Sequence, residues 1–500
     1  VAQQDSDVPM VQAQPTTPVV SQSSSQFITV ETDVLRARIN LAGGDIEDLD
    51  LLDHKLDIDR EDPLPLLMNA PEHVYVSQSG LVGRDGLDKQ GQRANFTASQ
   101  TNYALNGDVL NVDLTTSTDN GVSITKRFTF NAGSHAVTVS YLIDNQSATE
   151  WQGAMYGYIK RDGRSPLIDS DGAMVPFLGM ATTNTEENYY KLDFDDLDDE
   201  SYRANITGGW ISMVQHYYIS AWIPNAEDNN LFYAEKLRSG FYRMGFTSEN
   251  VTVPAGAQGE LSAVFYAGPK DQDILEGLAK YLDLTVDYGW LWWIAKPLFW
   301  ALSFFYGLIG NWGFAIIALT ILIKGLFYYP SAISYRSMAA MRKFSPRIQE
   351  LRERFGDDRQ KLQQEMMKLY KEEKINPMAG CLPILLQMPV FIALYWMLAE
   401  SVELRHAPFM LWITDLSVKD PYFVLPVLMG IVMYLQQKLN PTPPDPMQAK
   451  IMQMMPIIFT FFFMFFPAGL VLYWLFNSLI SMIQQLVIYR GLEKADAKKK

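Results

Sequence analysis

The chain has 500 residues, too many for one ordinary domain, and its formal net charge of −15 is unevenly spread. Residues 1–280 hold 40 Asp and Glu against 19 Lys and Arg, whereas residues 281–500 hold 16 against 22, so an acidic, water-facing part is joined to a mildly basic, apolar one. The single cysteine, Cys381, excludes an internal disulfide; the five histidines follow no metal-ligand spacing, and neither a Gly-rich phosphate loop nor a nucleophile elbow is present.

Val1–Gln26 is polar, rich in Gln, Ser, Thr and Pro, and lacks an apolar h-region, which reads as a disordered linker and not as a signal peptide. From Phe27 the apolar residues recur with period two. In "HAVTVSYLID", Val137, Val139, Tyr141 and Ile143 share one face, the pattern of a half-buried strand. Turn signals punctuate these runs at Ala42-Gly43-Gly44, Asn106-Gly107-Asp108, Asp119-Asn120-Gly121 and Asn131-Ala132-Gly133. Many short strands without alternating helices predict an antiparallel β-sandwich over residues 27–270, read as a scaffold or spacer. The acidic run "LDFDDLDDE" (Leu192–Glu200) lacks the glycine of a calcium loop and is expected to be a solvated loop.

Near Asp271 the period changes, and residues 271–311 read as a connecting helix followed by an interfacial helix rich in Trp and Phe (Ala295–Gly310). Five spans are predicted at Trp312–Tyr335, Ala379–Ala399, Tyr422–Leu439, Gln448–Phe466 and Ala468–Ile488, each near the ~20 residues that a bilayer core requires. The last two are joined by only "FPAG", a tight helical hairpin. Prolines at 377, 383, 389, 456 and 467 predict an irregular bundle. Eleven Lys and Arg between residues 336 and 378, and five from Arg490 onward, place that loop and the C-terminus in the cytoplasm, with the sandwich outside. Exporting it requires an anchor or signal upstream of Val1. Within the loop, Met341, Phe344, Ile348, Leu351 and Phe355, then Leu362, Met366 and Leu369, form a seam of alternating three- and four-residue steps. A helical hairpin over 336–376 follows, with Gly356 stopping the first helix, Asp357 or Asp358 capping the second, and Asn376-Pro377 ending it. Its pattern fits equally a connector with a solvated basic face and a docking arm. The basic tail 490–500 closes the chain.

Lys324 stands alone in the first span, twelve residues from the next charge, Arg336. Burying it costs roughly 2.5–3.5 kcal/mol on insertion scales, and a lysine side chain is too short to snorkel about 18 Å to water. No Asp or Glu lies within the spans to pair with it, so the ammonium is expected to need water inside a polar groove. Thr320, Gln387, Gln436, Gln437, Asn477 and Ser478 are candidates to line that groove.

The stretches "VDYGWLWWIAKPLF", "NWGFAIIALTILIKGLFYYP", "QEMMKLYKEEKINPMAGCLPILLQMPVF", "DPYFVLPVLMG" and "FPAGLVLYW…IQQLVIYRGLEK" resemble the YidC/Oxa/Alb family of membrane protein insertases in its Gram-negative form, with a large β domain before the membrane part. The resemblance implies an inner-membrane protein with no catalytic residues, metal or cofactor. It implies a positively charged groove open to cytoplasm and lipid that receives the polar end of a client. On this chain the groove takes in Lys324, Thr320, Gln387, Gln436, Asn477 and Trp474. A client's apolar segment would slide along the second and fourth spans, over Met388, Pro389, Phe391, Phe459 and Phe462. The hairpin residues Arg352, Arg354, Arg359 and Lys361 are implied in docking. The implied partners are nascent clients, the Sec translocon, and the ribosome and signal recognition particle pathway. The resemblance also implies a supersandwich of the sugar-binding type for the β domain, without implying sugar binding. Two positions depart from the family pattern: Lys324 stands where arginine is usual, and Tyr473-Trp474 where a tyrosine pair is familiar. The family's N-terminal anchoring span is absent from the sequence. The chief alternative, a secondary transporter using an intramembrane lysine, would call for inverted repeats or paired carboxylates, and the five spans have neither.

Overall fold

The computed structural model describes residues 26–89, 92–167, 176–355, 358–373, 382–440 and 446–497. The linker 1–25, Gly356 and Asp357, Asn376-Pro377, Cys381 and the last three lysines lie outside the described residues. The chain divides into two compact units, the first ending at Val286 and the second beginning at Asp287.

The first unit is all-β in its core, with an eleven-stranded and a nine-stranded sheet among the described residues. Pairings are antiparallel throughout except that Phe27–Glu31 runs parallel to Asn102–Ala104. The alternation read in the sequence appears in strand Ala136–Asn145, where Val137, Val139, Tyr141 and Ile143 are buried. That strand pairs with Val122–Asn131 on one side and Gln258–Pro269 on the other. Gly107 and Gly121, both at positive φ, make the tight turns that a side chain would strain. The sheets pack face to face: Tyr75 meets the Ser220 hydroxyl at 2.5 Å, and Trp222 lies 5.9 Å from Phe246 between ring centres.

Four charges are sealed between these sheets. Lys126 donates to the backbone carbonyls of Gly43 (3.0 Å) and Ser79 (3.1 Å), while Arg93 pairs with Asp88 at 2.9 Å and with Asp45. Burial pushes the Lys126 ammonium down to about 7, against the pull of Asp45.

The acidic run is not a loop. Phe194–Asp199 forms a short helix, α1, because Asp193 accepts from the Asp196 N–H while the Asp196 side chain reaches back to the cap. Helix α2 (Gln272–Leu278) follows, capped by Asp271.

In the second unit the helices are α3 (Trp292–Ile309), α4 (Trp312–Leu326), α5 (Tyr328–Lys343), α6 (Ser345–Phe355), α7 (Arg359–Glu372), α8 (Leu382–Glu400), α9 (Val424–Gln437), α10 (Pro446–Phe463) and α11 (Ala468–Ala497). The expected first span is broken: α4 and α5 meet at Phe327 with a bend of 68°. Pro330 explains it. Its ring nitrogen has no hydrogen to give the Leu326 carbonyl four residues back, and the ring crowds that carbonyl, so the first helix ends there. The segment expected at the interface is longer than the sequence reading allowed. Gly289–Ile309 is helical over 21 residues, and by length and composition it could cross a membrane, as could Ala468–Lys494. The other apolar helices are shorter, at Leu385–Glu400, Val424–Gln437 and Ala449–Phe463. Helix α11, at 30 residues, extends about 45 Å and carries the basic tail's Arg490 and Lys494 on unbroken helix.

Helix α11 packs against α4, α5, α8 and α9, α10 lies along α9, and α3 rests on α4 and α8. Helices α6 and α7 form the expected hairpin, with Ile348 and Leu369 buried in its seam and the Arg347–Glu373 pair (3.3 Å) tying the two strands of helix together near its base. Asp358 caps α7.

Candidate functional site: a buried lysine beside a polar and apolar cavity

Lys324 lies in the last turn of α4, just before the break, and is only 7% exposed. Its ammonium donates to Ser481 Oγ on α11 at 2.7 Å and to Gln387 Oε1 on α8 at 3.1 Å. Both acceptors are neutral. An ammonium carries three donors, and no carboxylate among the described residues pairs with it, so the positive charge is hydrogen-bonded but not neutralised there. Gln387 turns its amide nitrogen to Tyr473 Oη (3.3 Å) and to Asn477 Oδ1, and Ser481 donates to the Asn477 carbonyl at 2.7 Å. Lysine, glutamine, asparagine, serine and tyrosine thus form one network across three helices.

A cavity of about 390 Å³ opens beside this network. Gln387, Asn477, Ser478 and Ser481 line one part of it, with Gln436, Gln437 and Asn440 from α9 and the residues after it. Met388, Phe391, Met452, Met455, Phe459 and Trp474 supply the apolar part. Lys324 does not line the cavity; it stands one hydrogen bond behind the wall. Its field reaches the cavity through Gln387 and Ser481, in surroundings where little solvent screens it.

The residues singled out in the sequence divide accordingly. Lys324, Gln387 and Asn477 are brought together, and Gln436 and Trp474 share their cavity. Thr320 is fully buried, but its hydroxyl donates to the Ile316 carbonyl at 2.7 Å on its own helix, so it does not join the lysine. The back-bond to the preceding turn is the nearer acceptor. Among the apolar candidates, Met388, Phe391 and Phe459 line the cavity; Pro389 does not, and Phe462 is half exposed against Phe466. Trp474 packs edge-on to Phe391 at 4.5 Å, and its indole N–H has no hydrogen-bond partner among the described residues.

Ser481 was missed, and Tyr473 was singled out only as part of a departure from the family pattern, although a signal existed for both. Tyr473, Asn477, Ser481, Gln485 and Tyr489 recur every four residues along α11, a polar ladder through its largely apolar stretch. Lower on the ladder, Gln485 donates to Asn440 Oδ1 and Tyr489 Oη, each at 2.9 Å.

At the hairpin tip, Arg354 and Lys361 both lie over the Phe355 ring, 5.8 and 5.6 Å from its centre, and Arg352 is half-buried nearby in sequence. The Arg359 side chain lies outside those described.

Known proteins share this sequence at length. Residues 27–301 match the family model of the YidC periplasmic domain, and residues 304–496 that of the 60Kd inner membrane protein. The membrane protein insertase YidC of Saccharophagus degradans is 55% identical over 97% of this chain and 87% of its own length. The same-named protein of Cellvibrio japonicus is 54% identical over 96% and 88%. A crystal structure of an active YidC insertase with its first transmembrane domain resolved is matched over 92% of both chains, at 18% identity and a TM-score of 0.40. On this sequence evidence, the chain belongs to the YidC family of membrane protein insertases.

Proposed function

We infer that this protein inserts client membrane proteins into the inner membrane and assists their folding, and that it does so without a catalytic cycle. One observation carries the reading: a buried, unneutralised ammonium at Lys324 stands behind a cavity that is amide- and hydroxyl-lined on one side and Met- and Phe-lined on the other. Such a cavity offers hydrogen bonds to the polar end of a client segment and a positive potential to acidic residues in it. The apolar side, with Met388, Phe391 and Phe459, gives the client's hydrophobic segment a route to lipid. Burying that segment releases about 0.8 kcal/mol per CH₂, which supplies the driving force.

In this reading the α6–α7 hairpin and the C-terminus face the cytoplasm, as the eleven basic residues of 336–378 favour, and the β unit faces the periplasm. The bent pair α4–α5, together with α8, α9, α10 and α11, supplies five spans, and α3 lies at the interface. The hairpin docks a cytoplasmic partner. Ribosomes, the signal recognition particle pathway and the Sec translocon are the partners that fit such a role.

The test is reconstitution of the purified protein into liposomes with a small single-span client carrying an acidic translocated tail. Protease protection of the tail, dependent on this protein and lost with Lys324→Glu, is expected. Equal protection in empty liposomes, or with the Glu variant, would refute the reading.

A further inference from the structure

The first unit gathers three metal-ligating side chains whose sequence positions gave no hint of it. Asp53, His54 and His135 present ligand atoms that all lie within 4.8 Å of one another. His135 Nε2 is 3.1 Å from Asp53 Oδ1, and His54 Nε2 is 3.8 Å from Asp53 Oδ2. Tetrahedral zinc, with bonds near 2.0–2.1 Å, needs its ligands roughly 3.3 Å apart. Asp53 and His135 already stand near that spacing; Asp53 and His54 need to close by about half an ångström and the two imidazoles by at most about 1.5 Å, a side-chain rotation at the half-buried His54.

The fold explains how two neighbours in a strand reach one partner. Strand Asp45–Lys55 pairs Leu51 with Leu64 and then Lys55 with Pro63, so three residues oppose no partner between adjacent positions of the other strand. In that bulge the strict alternation of faces lapses, and Asp53 and His54 both turn toward His135. His135 precedes strand Ala136–Asn145 in the other sheet, over Gly268, where a Cβ would come within 2.7 Å of it. The glycine makes the room. Tyr218, from that same sheet, meets His54 Nδ1 at 3.3 Å and so leaves Nε2 turned to the centre, as an outer partner orients a ligating imidazole.

We propose that Asp53, His54 and His135 form a site for a divalent first-row transition ion of the zinc type, which clamps the rims of the two β-sheets. Two imidazoles and one carboxylate select such ions over Mg²⁺ and Ca²⁺, which prefer all-oxygen sets. Asp53 is exposed, so the ion can enter from solvent and keep a water as its fourth ligand.

The probe is ZnCl₂ added to the full-length protein in detergent after chelator washing, read by calorimetric titration and metal analysis. One Zn²⁺ per chain is expected to depend on the trio. His54→Gln and Asp53→Asn, both at accessible positions, should each weaken it at least about tenfold, since even loss of an outer partner costs that much. Zn²⁺ should raise the thermal midpoint of the β-sheet signal in the parent and not in His54→Gln, and MgCl₂ should do neither. Co²⁺ should give the visible absorption of a tetrahedral site, lost in the variants. Zinc affinity and midpoint shift unchanged in both variants, or no stoichiometric zinc in the parent, would overturn the site and leave a hydrogen-bonded Asp–His group.

Discussion

Lys324 and Ser481 lie 157 positions apart, yet the ammonium of one donates to the hydroxyl of the other at 2.7 Å inside the helical unit. With Gln387 as its second acceptor, the lysine keeps its charge among neutral groups. Changing the acceptor is therefore a sharper probe than removing the lysine. Gln387→Glu places a carboxylate on the ammonium and cancels its field, while similar volume keeps the helices packed. Insertion of acidic-tailed clients should fall as far as it does in Lys324→Ala, with no loss of thermal stability. Insertion at the parent rate in Gln387→Glu would separate the charge from the function.

The hairpin tip offers a second test. Arg354 and Lys361 flank Phe355, and cations held there are available to an acidic or phosphate-rich surface. The double change Arg354→Glu, Lys361→Glu should weaken co-sedimentation with ribosomes, and the residual binding should fall less steeply with salt, because fewer counterions are released. Binding and salt slope equal to those of the parent would exclude the tip.

Helices α9 and α10 touch through Gly430, where a Cβ would lie 1.9 Å from Thr460 Oγ1. Gly430→Ala should lower the thermal midpoint of the helical signal, by the 1–3 kcal/mol typical of overpacking. Adding Thr460→Ala should restore part of it. A single variant as stable as the parent would show that the helices separate at little cost.

The sealed charges of the β unit make its stability depend on pH. Lys126 titrates near 7 when folded, because burial disfavours its charge, and near 10.5 when unfolded. Between these values the unfolded chain binds more protons, so the contribution of this group to stability rises with pH across that window. Asp45, raised by burial, acts with the opposite sign but at lower pH. Asp88, Arg93 and Tyr141 face the same group. Thermal unfolding followed by β-sheet circular dichroism from pH 7 to 9 should show this rise in the parent and a flatter profile in Lys126→Met; parallel profiles would contradict it.

How much was legible follows from what each feature requires. The strand Ala136–Asn145 and the seam of α6 and α7 announce themselves because one face of each is buried, and burial prints its period on the sequence. The α4–α5 bend was also written there, in Pro330, but the apolar run on both sides read as one span. The acidic run hid a helix because its cap is made of the same aspartates that suggested a solvated loop. Lys324 was visible as an anomaly; its partners were only partly so. Asn477 stood out by its polarity and Tyr473 by the family resemblance, whereas Ser481 becomes conspicuous only when α11 is read every fourth residue. The trio of Asp53, His54 and His135 could not be read at all, since it depends on a bulge in one sheet meeting the start of a strand in the other.

Whether Lys324 acts as a point charge behind the cavity is decided by insertion rates of two clients that differ only in an acidic or a neutral translocated tail. In Lys324→Arg, which keeps the charge, the rate for the acidic client should stay near the parent's. In Lys324→Met it should fall roughly tenfold, the factor that corresponds to 1.4 kcal/mol, while the neutral client is much less affected. Equal rates for both clients in Lys324→Met and the parent would show that the lysine's charge has no part in insertion.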